Sequence, residues 1–396
     1  MGNIRGHLAW FEPMREEVVR AVPRCQGCPK HIPNCARLHV RGTAIGSTNP
    51  MKAVVFERNG GFEVLQYKDI PEPKPGPNEV VIKVKASACN FNDIWARRGL
   101  PGMKILLPHI SGSDAAGVVA DRGSEVHDVA IGDEVVVHCG IACRHCYYCT
   151  RGEEFFCHDF KIWGFQTGPL DGAHGEYCKV PAVNVIAKPR NLTFEEAASM
   201  PLVLVTVWRM LVSRAHVQAG DFVLVWGASG GLGVMAIQIA KLFNARPIAV
   251  ASSDEKLDLA RKLGAEFTLN RTRDDIFAEV RRITDGRRAD IVFEHTGADT
   301  WPLSMQCLKW GGTIVTCGAT SGFDAHMDIR LLWNKQQNYL GSHLGNKGEL
   351  IEAMRFVERG LIKPVIDRRI PLKDLSQAQE LMETNAVAGK IVMLPG

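Results

Sequence analysis

From residue 51 onward, apolar positions recur in short runs, of which 52–56 and 79–86 are the clearest, separated by proline- and glycine-rich turns. This β-rich pattern holds to about residue 189. At Thr193 it changes. The stretch "TFEEAASMPLVLVTVWRMLVS" pairs Thr193 with Glu196 in a capping box ahead of a long apolar face, and it predicts one helix. Strands and helices then alternate, with strands at 222–226, 247–250, 291–294 and 313–317 and helices beginning near 232 and 255. Such alternation predicts a parallel sheet wound on both faces. From about residue 337 the pattern is mixed again. The expected fold class is α/β, with a β-rich domain over 51–197, a doubly wound domain over 198–336 and a tail, 337–396, that returns to the first.

Residues 1–50 fit neither pattern. Five prolines interrupt them, and Cys25, Cys28, His31, Cys35 and His39 lack a fourth ligand at a recognised zinc spacing. We expect an extension that is poorly ordered or lies upstream of a native start at Met51. The segment also explains the net charge of +4, because it holds seven Lys or Arg against three Asp or Glu. The remaining chain carries forty of each sign. That balance argues against a nucleic-acid or membrane partner, which would want a basic face. The apolar run 201–208 is too short to span a bilayer. No signal-peptide pattern opens the chain, and the twelve cysteines cluster at metal-ligand spacing, so a cytoplasmic location is expected.

In "FVLVWGASGGLGVMAIQIAKLF" a buried strand precedes Gly227-x-x-Gly230-x-x-Gly233, with Gly231 inside the motif, and a helix follows. Glycines there let a backbone approach a pyrophosphate, whose charge then rests on the helix N-terminus. The next strand should end in an acidic residue if it held the ribose hydroxyls of NAD. It ends instead at Ala251, followed by Ser252, Ser253 and Lys256, with Arg271 further on. Hydroxyls and cations suit a 2′-phosphate, so NADP(H) is the expected cofactor. Glu294 and His295 close a later strand, where such sheets bind ligands, and His295 is a candidate contact for the nicotinamide end.

Cys143, Cys146, Cys149 and Cys157 form C-x2-C-x2-C-x7-C in a polar loop. Four thiolates close a tetrahedral zinc and leave no open position, which predicts one structural Zn2+.

Together these features resemble the zinc-containing medium-chain dehydrogenase/reductase superfamily over 51–396. The resemblance implies a GroES-like β-rich catalytic domain joined to a Rossmann domain. Alcohol dehydrogenases of that superfamily carry a second, catalytic zinc acting as a Lewis acid. Aligned on Asp93, its ligand positions fall on Asn90 and Ser113 here, and no Cys or Glu lies near 201–204 for the third. A displaced site using Cys89 and Asp114 is the remaining metal alternative. The stretches "NFNDIWA", "GSDAAGVV", "KIWGFQTG", "LTFEEAAS", "VLVWGASGGLG", "IVFEHTG" and "TSGFDAHMDIRLLWNKQ" followed by "GSH" are more specific. They resemble the crotonyl-CoA carboxylase/reductase and enoyl reductase branch. That resemblance implies a substrate pocket using Phe165, one of Asn90 and Asn92, and His343, with Gln166 where the family has a glutamate.

The expected activity is therefore NADPH-dependent reduction of the C=C bond of an α,β-unsaturated acyl-CoA, without carboxylation. The site needs donors for a developing oxyanion and a shielded proton source. Asn90 or Asn92 is expected to position the substrate and His343 to hold a water or proton. Arg97, Arg98 and Lys104 are candidate cations for coenzyme A. Competing readings are a quinone or enone reductase, a zinc-dependent alcohol dehydrogenase, and a cofactor-binding protein without turnover. A homodimer or homotetramer is implied by the resemblance.

Overall fold

The computed structural model describes residues 49–396. The extension 1–50, with its cysteines and histidines, lies outside the described residues save for its last two positions. Six parallel strands form one sheet in the order Phe267–Asn270, Arg246–Ala251, Phe222–Val225, Ala289–Glu294, Leu308–Thr316, Asn338–Gly341. The order reverses between Phe222–Val225 and Ala289–Glu294, so a crevice opens beyond their C-terminal ends. Both central strands are buried throughout, which is why "FVLV" is continuously apolar and "ADIVFE" keeps an apolar centre, Ile291–Phe293, between Asp290 and Glu294.

The β-rich part is built around Glu79–Ala88, which pairs antiparallel with Asp114–Arg122, Tyr177–Pro181 and Lys390–Leu394. Its exposed Lys83 and Lys85 alternate with buried Ile82, Val84 and Ala86, the period of a half-buried strand. Ile366–Pro371 and Lys390–Leu394, from the tail, pair into this sheet. The tail's first strand, Asn338–Gly341, instead extends the parallel sheet, so the return begins after Gly341 and not at 337.

The predicted single helix at 193 is two. The capping box forms, with Thr193 N donating to Glu196 at 2.9 Å and Glu196 N to Thr193 Oγ1 at 3.2 Å. The helix Phe194–Ala198 then stops, and a second, Pro201–Trp208, starts on its proline. Pro201 has no N–H to donate back into the first helix, and its ring clashes with a continuing turn. Among the described residues, no helix is long and apolar enough to cross a membrane.

Candidate active site

The glycine loop sits at the point where the strand order reverses. Gly227 has φ +55°, a left-handed conformation that favours glycine. A Cβ on Gly233 would lie 2.3 Å from the Gly227 carbonyl oxygen, so only glycine lets the helix Gly231–Leu242 pack on the loop. A Cβ on Gly230 would meet only that same oxygen, at 3.5 Å, which leaves this face open. The loop thus fits a pyrophosphate. His295 Nε2 lies 3.1 Å from the Trp226 carbonyl, and its ring packs over Gly227, where an added Cβ would lie 2.8 Å from Cε1. Burial holds this imidazole below its usual pKa, so it is neutral at pH 7.

Glu294 has a different place. Its Oε1 accepts from the N–H groups of His295, Thr296 and Gly297, and Thr300 Oγ1 and Ser304 Oγ reach Oε2 at 2.9 and 2.7 Å. Both oxygens are engaged in shaping the turn that carries His295, and the side chain is fully buried. Beyond Ala251, Ser253 caps the helix Asp254–Lys262, accepting from Lys256 N, and Ser252 is half-buried beside it. Lys256 Nζ donates to the Asn385 carbonyl at 2.5 Å. Burial, and then the charge of Arg271, hold its ammonium below the usual lysine value. The strand itself ends on Ala251, and Asp254 beyond it pairs with Arg273 at 2.8 Å.

In the cysteine lobe, the four Sγ atoms all lie within 4.8 Å of one another, with Cys143 and Cys149 at 3.9 Å. Thiolates at about 2.3 Å from a tetrahedral zinc stand roughly 3.8 Å apart, so this set fits that metal. The backbone N–H of His145 pulls the Cys143 thiol down to about 6, while burial pushes Cys149 up to about 12.

The second metal position is different in kind. Asn92 Nδ2 donates to Ser113 Oγ at 2.8 Å. Asn90 Nδ2 donates to Asp114 Oδ2 at 2.8 Å, and Asn90 Oδ1 accepts from Lys390 Nζ at 2.5 Å. An amide and a hydroxyl, each already bonded to protein, are poor zinc ligands. Nor does Cys89 complete a site with Asp114. Its Sγ groups with Asp93 and His174, and all three are buried. There Asp93 accepts from Gly112 N at 2.9 Å and Asn90 N at 2.8 Å, while His174 meets Ser87 Oγ at 3.0 Å and Asp93 at 3.4 Å. Both imidazole nitrogens of His174 and both carboxylate oxygens of Asp93 are thus already bonded to protein.

The two asparagines are not equivalent. Asn90 has both ends of its amide bonded, whereas Asn92 Oδ1 is buried and finds no hydrogen-bond partner among the described residues. Buried polar atoms without a partner are exceptions in a folded protein, and this one marks Asn92 apart from Asn90. Phe165 is buried in the core, next to Gly164, which at φ +71° packs on Gly112; a Cβ on Gly164 would lie 1.9 Å from the Gly112 oxygen. Gln166 turns back on its own segment, with Oε1 accepting from Ile162 N at 2.9 Å. His343 follows the edge strand Asn338–Gly341 and packs against Phe160, ring centroids 5.4 Å apart, with its pKa lowered by burial. The segment at Gly164 and the Asn92 amide thus both border Gly112–Ser113, whereas His343 packs on Phe160. Of the cations expected for coenzyme A, Arg97 is buried, bonded to Gln379, the Gly60 carbonyl and Glu383, and Arg98 also pairs with Glu383. Only Lys104 is exposed and outside such pairs.

Lys390 escaped the sequence reading. Its Nζ donates to the Cys89 carbonyl at 2.6 Å and reaches Asp114 Oδ2 at 3.3 Å, besides Asn90. A lone lysine entering the apolar strand "KIVML" was the available signal.

Residues 76–190 match the family model of the alcohol dehydrogenase GroES-like domain, and 231–359 that of the zinc-binding dehydrogenase. A crotonyl-CoA reductase of Streptomyces avermitilis is 36% identical, over 83% of this chain and 82% of its own. The crystal structure of an NAD-dependent alcohol dehydrogenase superposes with a TM-score of 0.83 at 42% identity, covering 87% of this chain and all of that one. A crotonyl-CoA carboxylase/reductase superposes with a TM-score of 0.81 at 34% identity, covering 87% and 88%. The chain is an oxidoreductase of the zinc-type medium-chain dehydrogenase/reductase superfamily and belongs with its crotonyl-CoA carboxylase/reductase branch.

Proposed function

We propose that this enzyme uses NADPH to reduce the C=C bond of an α,β-unsaturated acyl-CoA of the acryloyl or crotonyl type, without adding carbon dioxide. The observation that carries the reading is the metal-poor shelf, where Asn92 bonds Ser113 and Asn90 bonds Asp114 and Lys390. Reducing a free carbonyl in this superfamily calls for a Lewis acid, and this donor set does not fit one. Conjugate reduction calls only for hydrogen-bond donors and a proton source. The nicotinamide, when bound, supplies the hydride.

The chain's own groups divide the remaining work. Gly227, Gly230, Gly231 and Gly233 form the cradle for the pyrophosphate, while Ser252, Ser253, Lys256 and Arg271 face the 2′-phosphate. His295 shapes the nicotinamide end, with Glu294 holding its turn. Asn92, whose free end is an acceptor, takes an N–H of the substrate's coenzyme A arm and so positions the acyl group, and neutral His343 keeps a water or proton near the α-carbon. Phe165 excludes solvent. With its oxygen already bonded to Ile162 N, Gln166 gives the pocket no carboxylate, and this supports plain reduction over carboxylation. The four cysteines hold a structural Zn2+ that braces the lobe.

We also infer a homodimer or homotetramer. The strand Asn338–Gly341 ends the parallel sheet with an open edge, and the segments beside it expose Trp310, Ile329 and Trp333. Sedimentation velocity should give a dimer or tetramer, and a monomer at micromolar concentration contradicts it.

NADPH oxidation with crotonyl-CoA, with and without bicarbonate, tests the reading. Equal rates support reduction alone, and strict dependence on bicarbonate overturns that part. Good rates with quinones and none with the thioester favour the enone reductase.

A further inference from the structure

The tail strand Lys390–Leu394 brings one charged residue inward, and it does so where the two sheets' working ends meet. Gly389 N donates to the Ser229 carbonyl at 2.7 Å, and Gly389 bridges Gly230 of the glycine loop. The Lys390 side chain then passes under Gly231, where an added Cβ would lie 2.8 Å from its Cδ. Its ammonium emerges among the Cys89 carbonyl, Asn90 Oδ1 and Asp114 Oδ2. A single side chain touches both the cofactor loop and the substrate shelf.

Lys390 is a buried counter-ion for Asp114, and the distances show that this is not all it does. Here the Asp114 contact is the longest of the three at 3.3 Å, against 2.6 and 2.5 Å to two neutral oxygens. Asp114 has other donors besides, from Asn90 Nδ2 and Leu202 N, both at 2.8 Å. The short bonds go to Cys89 and Asn90, the residues that lead into the helix Phe91–Arg98, whose second residue is Asn92.

We propose that Lys390 is a positioning residue for hydride transfer, its ammonium fixing Asn90, and with it the helix that carries Asn92, against the glycine loop. An ammonium here ties the shelf to the loop without ligating substrate. The assignment rests on the reductase reading above. A misplacement of about 1 Å at such a junction costs roughly a hundredfold in rate.

The test is a cycle of Lys390→Met, Asp114→Asn and the double variant, with Lys390→Arg as rescue. Lys390→Met alone strands a buried carboxylate and risks unfolding; the double variant removes both charges and keeps the proposal falsifiable. We expect the folded double variant to retain its zinc and to bind NADPH within about threefold of wild type. Its kcat should fall about a hundredfold, with a larger primary isotope effect when deuterated NADPH is used. Lys390→Arg should recover part of the rate. A double variant with wild-type kcat and isotope effect overturns the proposal, because Lys390 then serves only to neutralise Asp114. If the wild type leaves crotonyl-CoA untouched, the reductase reading fails separately. Lys390 is then judged on the emission spectrum of bound NADPH, which needs no acceptor: a shift in the double variant supports the assignment, and identical spectra refute it.

Discussion

Asn92 Nδ2 donates to Ser113 Oγ across 2.8 Å, so the position where alcohol dehydrogenases of this superfamily keep a histidine is a hydroxyl already bonded to an amide. The other end of that amide, Oδ1, is buried and unpartnered among the described residues. Neighbouring Asn90 has no such free end. The two asparagines of "NFND" therefore differ in task, and their variants should differ in phenotype.

Asn92→Ala should lower kcat/KM for the enoyl thioester by about tenfold, the usual effect of losing one hydrogen bond to substrate, while melting within about 1 kcal/mol of wild type. Asn90→Ala should instead lose stability, by about 1–3 kcal/mol, because Lys390 and Asp114 each lose a buried partner. Steady-state kinetics and denaturant melts on the pair check this. Reversed phenotypes would exchange the two roles.

Metal analysis should find one zinc per chain. Cys146→Ser should abolish it and lower Tm, since four thiolates close around a structural ion. Chain that remains folded should keep its hydride-transfer rate. A second equivalent of zinc, with activity lost on its removal, contradicts the metal-poor shelf.

Lys256→Ala and Arg271→Ala should each raise the KM for NADPH about tenfold and leave that for NADH nearly unchanged. The two cations stand beyond Ala251, where an NAD-specific sheet would place an acid. Equal effects on both nucleotides would mean these side chains only cap the helix.

Acid should destabilise the fold through buried neutral histidines. Burial lowers the pKa of His109, His295 and His343, and takes His138 down to about 4. In the unfolded chain each takes up a proton near pH 6.5, so the unfolded state binds more protons below that pH. Stability is full above about pH 6.5 and is lost as pH falls toward the folded values, by up to about 1.4 kcal/mol per unit for each histidine. Melts from pH 7.5 to 4 should show this slope, and His138→Asn should flatten it. A stability that rises on acidification would contradict these burial shifts.

Much of the fold is legible along the chain because its signals are local. "FVLVWGASGGLG" carries strand, turn and helix start within a dozen positions, and the thiol spacing at 143–157 needs no knowledge of the rest. Pro201 was visible too, yet the apolar face around it outweighed the break in the helical pattern. What the chain hides is non-local. Lys390 meets Asn90 from 300 positions away. The edge strand Asn338–Gly341 is short and half-exposed, so it lacks the apolar run that marks its neighbours. Glu294, legible as the end of a strand, gave no sign that three consecutive backbone N–H groups would claim its carboxylate.

The central claim is that hydride attacks C=C and not C=O, and product analysis tests it most directly. Mass spectrometry of a reaction containing the enzyme, NADPH and crotonyl-CoA should show butyryl-CoA formed in step with NADPH consumed. Unchanged crotonyl-CoA, beside zinc-dependent interconversion of an alcohol and its aldehyde by the same preparation, would contradict the account.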